Sequence, residues 1–151
     1  MSYLKTKNYN GFTLIELLVA ISIIGVLIGL SLIGLSGARE SARDARRKTD
    51  IESIRSGLEM YKADCNNYPA SPLSTSLIGD GTPSACAVAN IYISSVPKDP
   101  ADPTRTYFYS TTGTTHILCA ALEQAPVPAM GITGCGSCGA SVACNYKATN
   151  P

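Results

Sequence analysis

One apolar run constrains this chain more than any other feature. From Leu17 to Ala38, 22 residues, no side chain carries a formal charge. A helix of that length spans a hydrocarbon core about 30 Å thick. In lipid every backbone N–H and C=O must be satisfied within its own segment, which selects helix over strand. The charge closest to the start of the run is Glu16. An isolated carboxylate in a bilayer is penalised, so its presence points to a partner.

The helical pattern does not stop where the apolar run does. Ile51, Ile54, Leu58 and Tyr61 fall on one helical stripe, and no proline occurs before Pro69. Glu40–Arg43, Asp44–Lys48, Glu52–Arg55 and Glu59–Lys62 are opposite charges three or four residues apart on the other faces. The expected helix runs from Phe12 to Ala63, on the order of 78 Å at about 1.5 Å per residue. Gly25, Gly29, Gly34 and Gly37 interrupt its first part, each costing about 1 kcal/mol relative to alanine. Gly25-x-x-x-Gly29 admits close approach of a neighbouring helix, although glycine is also simply frequent in membrane helices. The basic cluster Arg39, Arg43, Arg46, Arg47 and Lys48 is interleaved with Glu40, Asp44 and Asp50 and has no aromatics. It reads as a solvated helix face. With a net charge of +1, the chain gives no bulk-charge reason to expect a nucleic-acid partner.

Beyond the helix the composition changes. Asp64-Cys65-Asn66-Asn67-Tyr68-Pro69 ends it, and residues 70–90 read as a Ser-, Pro- and Gly-rich loop. Residues 106–110 and 116–122 read as strands joined by the turn Thr111-Thr112-Gly113-Thr114, and 124–151 as an irregular tail. The expected fold is α+β, a long N-terminal transmembrane helix packed on a small antiparallel sheet. Six cysteines, Cys65, Cys86, Cys119, Cys135, Cys138 and Cys144, all lie after the apolar run. An even count in a small head reads as a disulfide framework, with 15 pairings open. Cys65–Cys86 is the pairing we expect, tying the helix end to the loop, with the other four pinning the tail to the hairpin. The competing reading is zinc, held by Cys135, Cys138, Cys144 and His116, but a single C-x-x-C is a weak signal. His116, the one histidine, lies in a strand-like apolar run and reads as packed or edge. There is no catalytic constellation and no cofactor motif, so an enzyme is not expected.

Gly11-Phe12-Thr13-Leu14-Ile15-Glu16 resembles the N-terminal signal of type IV pilins and type II secretion pseudopilins. The resemblance implies a domain plan: 1–11 a prepilin leader, 12–37 a membrane and filament-core helix, 38–63 its amphipathic continuation, and 64–151 a globular head with loop, hairpin and Cys-rich tail. It implies cleavage after Gly11 by a prepilin peptidase, N-methylation of Phe12, and a role for Glu16 in assembly. Lys5 and Lys7 suit such a leader, and its removal leaves 10 basic and 11 acidic side chains. The implied partners are copies of the chain, other pilin-like subunits, the peptidase, the inner-membrane assembly machinery and lipid. The implied location is the bacterial inner membrane as a single pass with the head outside, and then a filament. A Lys/Arg count alone would put the head inside. The interleaved acids and the six cysteines, which suit an oxidising exterior, oppose that count. Tyr92 to Pro100 resembles the segment leading into the sheet of major pseudopilins, and many relatives carry a proline where this chain has Ile33 and Leu35. Such proteins often hold calcium in a C-terminal loop. Here the acids after residue 98 are only Asp99, Asp102 and Glu123, too few for that ion and better read as turn residues for the aspartates. No metal is therefore expected. The expected function is a structural subunit of a pilus or pseudopilus, the alternative being a membrane-anchored exported binding module with a disulfide- or zinc-stabilised head.

Overall fold

The computed structural model describes residues 11–124 and 132–150. The leader residues 1–10 and the tail stretch 125–131 lie outside the described residues. The helix α1 runs Leu14–Cys65, starting and ending two residues later than expected. At its end the Asn66 N–H bonds the Lys62 carbonyl at 2.8 Å, with Asn66 at φ 65°. Asparagine tolerates this left-handed cap, and Pro69 prevents continuation. The chain divides into two compact units after Arg39.

In the first unit the apolar side chains point outward around the whole helix, from Phe12 and Leu14 to Ile28 and Leu30. By length and composition this segment is able to cross a membrane. Its hydroxyls leave no polar debt: Ser22 Oγ donates to the Leu18 carbonyl at 2.7 Å and Ser31 Oγ to Leu27 at 2.8 Å.

In the second unit the stripe Ile51, Ile54, Leu58 and Tyr61 is buried, as its spacing predicts, in one core with Leu77, Tyr109, Leu118, Ala120 and Ala148. Two small antiparallel sheets cover it. The first, β1 (Leu77–Ile78) with β2 (Ile91–Ile93), grows partly from residues expected to be loop. Gly57 of α1 lets this pair approach, since a Cβ there would lie 2.3 Å from the Ile93 side chain. The second sheet has the order β3-β4-β5: β3 Phe108–Thr111, β4 His116–Ala120 and β5 Tyr146–Thr149. The hairpin β3–β4 is the expected one, with Tyr109 opposite Leu118 and Gly113 at φ 89° in the turn. The strand β5 is a correction, because part of the tail expected to be irregular pairs along β4, Ala148 opposite Leu118. Its four residues carry too little alternation to show by themselves, and the pairing is non-local.

Three disulfides fasten this unit: Cys65–Cys86, Cys119–Cys135 and Cys138–Cys144. The first joins the helix end to the loop. The second ties β4 to the tail. The third departs from expectation, closing a short loop within the tail instead of pinning it to the hairpin.

Candidate functional site

The first turn of α1 is organised around Glu16. Thr13 precedes the helix, and its backbone N–H and side-chain hydroxyl both donate to Glu16 Oε2, at 2.9 and 2.6 Å. In return the Glu16 N–H reaches Thr13 Oγ1 at 3.3 Å. This is a reciprocal capping box, in which the carboxylate also sits at the positive end of the helix dipole. The single chain thus holds Glu16 through Thr13, a residue the sequence reading passed over although Thr-x-x-Glu before an apolar run is the signal for it. Phe12 and Ile15 are exposed beside it. A Cβ built at Gly11, Gly25 or Gly29 meets nothing within 4 Å, so the chain's own packing does not call for glycine at these places.

A second constellation lies in the other unit. Arg47 is fully buried, with Asp44 and Asp99 also buried. Its guanidinium meets Asp99 Oδ2 at 2.8 Å and Oδ1 at 3.1 Å, Asp44 Oδ1 at 2.7 Å and Glu123 Oε1 at 2.8 Å. Arg43 grips Glu123 from the helix surface as a two-pronged pair. Asp44 also accepts the backbone N–H groups of Glu123 and Gln124 at 2.9 and 2.8 Å. Burial by itself would lower the Arg47 pKa, but the hydrogen bonds to Asp99, Glu123 and Asp44 override it and hold the group above its ordinary value. The Arg43 hydrogen bond, joined by Arg47 and opposed by burial, holds Glu123 down at about 2. Nearby, the Tyr107 hydroxyl donates to Asp50 at 2.8 Å, and burial raises its pKa further than that bond does.

This cluster corrects two expectations. Residues 39–48 are not simply a solvated face, because positions 44, 47, 51, 54, 58, 61 and 65 continue one 3-4 spacing and Asp44 and Arg47 share the buried stripe. Polar residues at stripe positions were the available signal. Asp99 is likewise more than a turn residue. It accepts the Ala101 N–H at 2.8 Å and also anchors its loop to α1 through Arg47. Asp102 does sit in that turn, with its own N–H on the Asp99 carbonyl at 3.0 Å. Asp99 and Glu123 are thus already neutralised by arginine.

The zinc constellation is not assembled. Cys135 and Cys138 belong to different disulfides, and Cys144 is bonded to Cys138. His116 is buried on β4 against the Tyr68 ring, centroids 4.5 Å apart, with Glu59 Oε1 3.8 Å from its Nδ1. Among the described residues neither of its ring nitrogens has a hydrogen-bond partner. Burial lowers its pKa, against the attraction of Glu59.

Comparison with known proteins agrees with both halves of this description. Residues 6–32 match the prokaryotic N-terminal methylation motif, and residues 35–120 match the model for type II secretion system protein G. The type II secretion system core protein G of Escherichia coli is 34% identical over 99 residues, covering 63% of this chain and 68% of that relative. The Aeromonas hydrophila protein of the same name is 31% identical over 101 residues, covering 64% and 71%. That of Pectobacterium carotovorum is 46% identical over 61 residues, covering 40% and 39%. No solved structure gives a significant match.

Proposed function

The chain belongs to the type II secretion system protein G family, a family of structural subunits and not of enzymes, and on that premise we propose that it builds a pseudopilus through its processed N-terminal helix. In this reading a prepilin peptidase removes residues 1–11 and methylates the new amine of Phe12. Residues 12–37 are first held in the inner membrane, with 64–151 as an external head and 38–63 joining the two. On extraction the apolar helices pack side by side as the filament core, where Gly25 and Gly29 admit a neighbour. Other pilin-like subunits, the inner-membrane assembly machinery and lipid are the partners.

The observation that carries the reading is the placement of Glu16. A carboxylate is held at the head of a helix whose apolar side chains, from Leu14 to Leu30, face outward. Thr13 satisfies it within one chain. On assembly Glu16 turns to the methylated amine of a neighbour's Phe12, a pair whose members are each penalised alone in a low-dielectric core. The pair then sets axial register. The orientation with the head outside the cytoplasm is supported by three disulfides in that unit.

The test is Glu16→Ala in the native host. Membrane insertion and protease resistance of the head remain as in wild type, while filament yield collapses. Normal filament yield would remove Glu16 from the mechanism. Loss of insertion would mean its role lies in the membrane.

A further inference from the structure

The Cys65–Cys86 disulfide is surrounded by groups that a structural staple does not need. The two sulfurs and the Asp80 carboxylate offer ligand atoms within 4.8 Å of one another. Among the described residues this is the only trio of cysteine, histidine or acidic side chains so placed. Each donor is oriented by further contacts. Asp80 Oδ1 accepts the Thr82 N–H at 2.9 Å, and Oδ2 accepts the Tyr61 hydroxyl at 3.3 Å. The Asp80 N–H points at Cys86 Sγ, 3.4 Å away. The Tyr92 hydroxyl lies 3.9 Å from Cys65 Sγ and donates to Asp64 at 2.9 Å. Both cysteines are buried and Asp80 is exposed, so a cation has one open approach, from the Asp80 side.

While the S–S bond is intact neither sulfur is a thiolate and the trio has no metal chemistry. A small-molecule or protein dithiol changes that. It delivers two electrons and two protons to the disulfide, becoming a disulfide itself and leaving two thiols on Cys65 and Cys86. Metal binding then displaces both thiol protons to solvent. Two thiolates and one carboxylate form a donor set for a borderline-soft divalent ion, with water as the fourth ligand. Calcium and magnesium, which take oxygen ligands, are excluded by the sulfurs.

We propose that, in the dithiol state, Cys65, Cys86 and Asp80 form a zinc site that fastens the end of α1 to the loop carrying Cys86. The same two sulfurs then serve the same joint in two chemical states, through zinc when reduced and through their own bond when oxidised. Neither of the other disulfides has a third ligand within reach among the described residues, so zinc binding is confined to this joint.

The experiment uses the full chain in detergent micelles, reduced without oxygen by a phosphine, with Co²⁺ as an optical probe and Zn²⁺ as competitor. One Co²⁺ binds per chain with a thiolate-to-cobalt charge-transfer band, and Zn²⁺ displaces it. Cys65→Ser abolishes the band. Asp80→Asn weakens binding by about tenfold or more. A Cys135→Ser/Cys138→Ser double variant binds like wild type. Absence of the band, its survival in Cys65→Ser, unchanged affinity in Asp80→Asn, or its loss in the double variant would each overturn the site. If reduction itself abolishes the near-UV tyrosine signal, Zn²⁺ but not Ca²⁺ restores it in wild type and not in Cys65→Ser. Failure of Zn²⁺ to restore it would overturn the site equally.

Discussion

Replacing Arg47 with alanine separates the buried network from its only fully buried cation. The consequences differ among its three acids. Asp44 keeps the Glu123 and Gln124 N–H groups, and Glu123 keeps Arg43. Asp99 keeps only the Ala101 N–H and is itself buried. Removing one member of a buried ion pair costs about 3–5 kcal/mol. That is a large part of a total stability on the order of 5–15 kcal/mol. With a urea dependence of about 1–3 kcal/mol per molar, the midpoint moves down by about 2 M. The assay is urea unfolding of the full chain in micelles, read by near-UV tyrosine circular dichroism because the chain has no tryptophan. If the loss comes from a stranded Asp99, the Arg47→Ala/Asp99→Ala pair is less than additive, with coupling of about 1–3 kcal/mol. A midpoint shift below about 0.5 M on the same scale, or strict additivity, would refute the reasoning.

Other outcomes follow from the same geometry. Glu123 is ionised in the folded state down to about pH 2, so its contribution is present above the ordinary glutamate pKa and lost as pH falls through about 2. Glu123→Gln should flatten the acid limb of a stability–pH curve. His116 is buried neutral with a lowered pKa among Glu59, Arg55, Lys62 and Tyr68, so its contribution is full above about pH 6.5 and falls as acid charges the unfolded state. His116→Leu should remove the stability slope just below that pH, and an unchanged slope would contradict it. Thr13→Val deletes the hydroxyl half of the capping box, so amide exchange at Glu16 should accelerate while exchange at Leu58 stays unchanged. Alkylation of the native, oxidised chain should label none of the six cysteines.

Much of this was legible in the residues where periodicity is long. Fifty-two helical residues carry enough repeats to place both ends of α1 within two positions, and four apolar stripe residues point at the core. Where periodicity is short it fails. The strands β1 and β2 have two and three residues, and β5 has four, so only pairing with distant chain defines them. Arg47 was misread because a charge on a helix is normally solvated, and two of the three acids that make its burial tolerable, Asp99 and Glu123, lie 52 and 76 residues away. The disulfides fall between these cases. Cysteine count implied a framework, but partners depend on where β4 and the tail meet, which spacing does not encode. Glu16 stood out at once as a charge beside an apolar run. Its hold on Thr13 is a local four-residue motif that was readable and went unread.

The central claim is that this chain enters a filament as a subunit whose first residue is a methylated Phe12. Mass spectrometry of filaments isolated from the native host tests it directly. The account predicts this chain in the filament, beginning at Phe12 with one added methyl group and no residue before it. Filaments that lack the chain, or that hold it with residues 1–11 attached or Phe12 unmethylated, would contradict it.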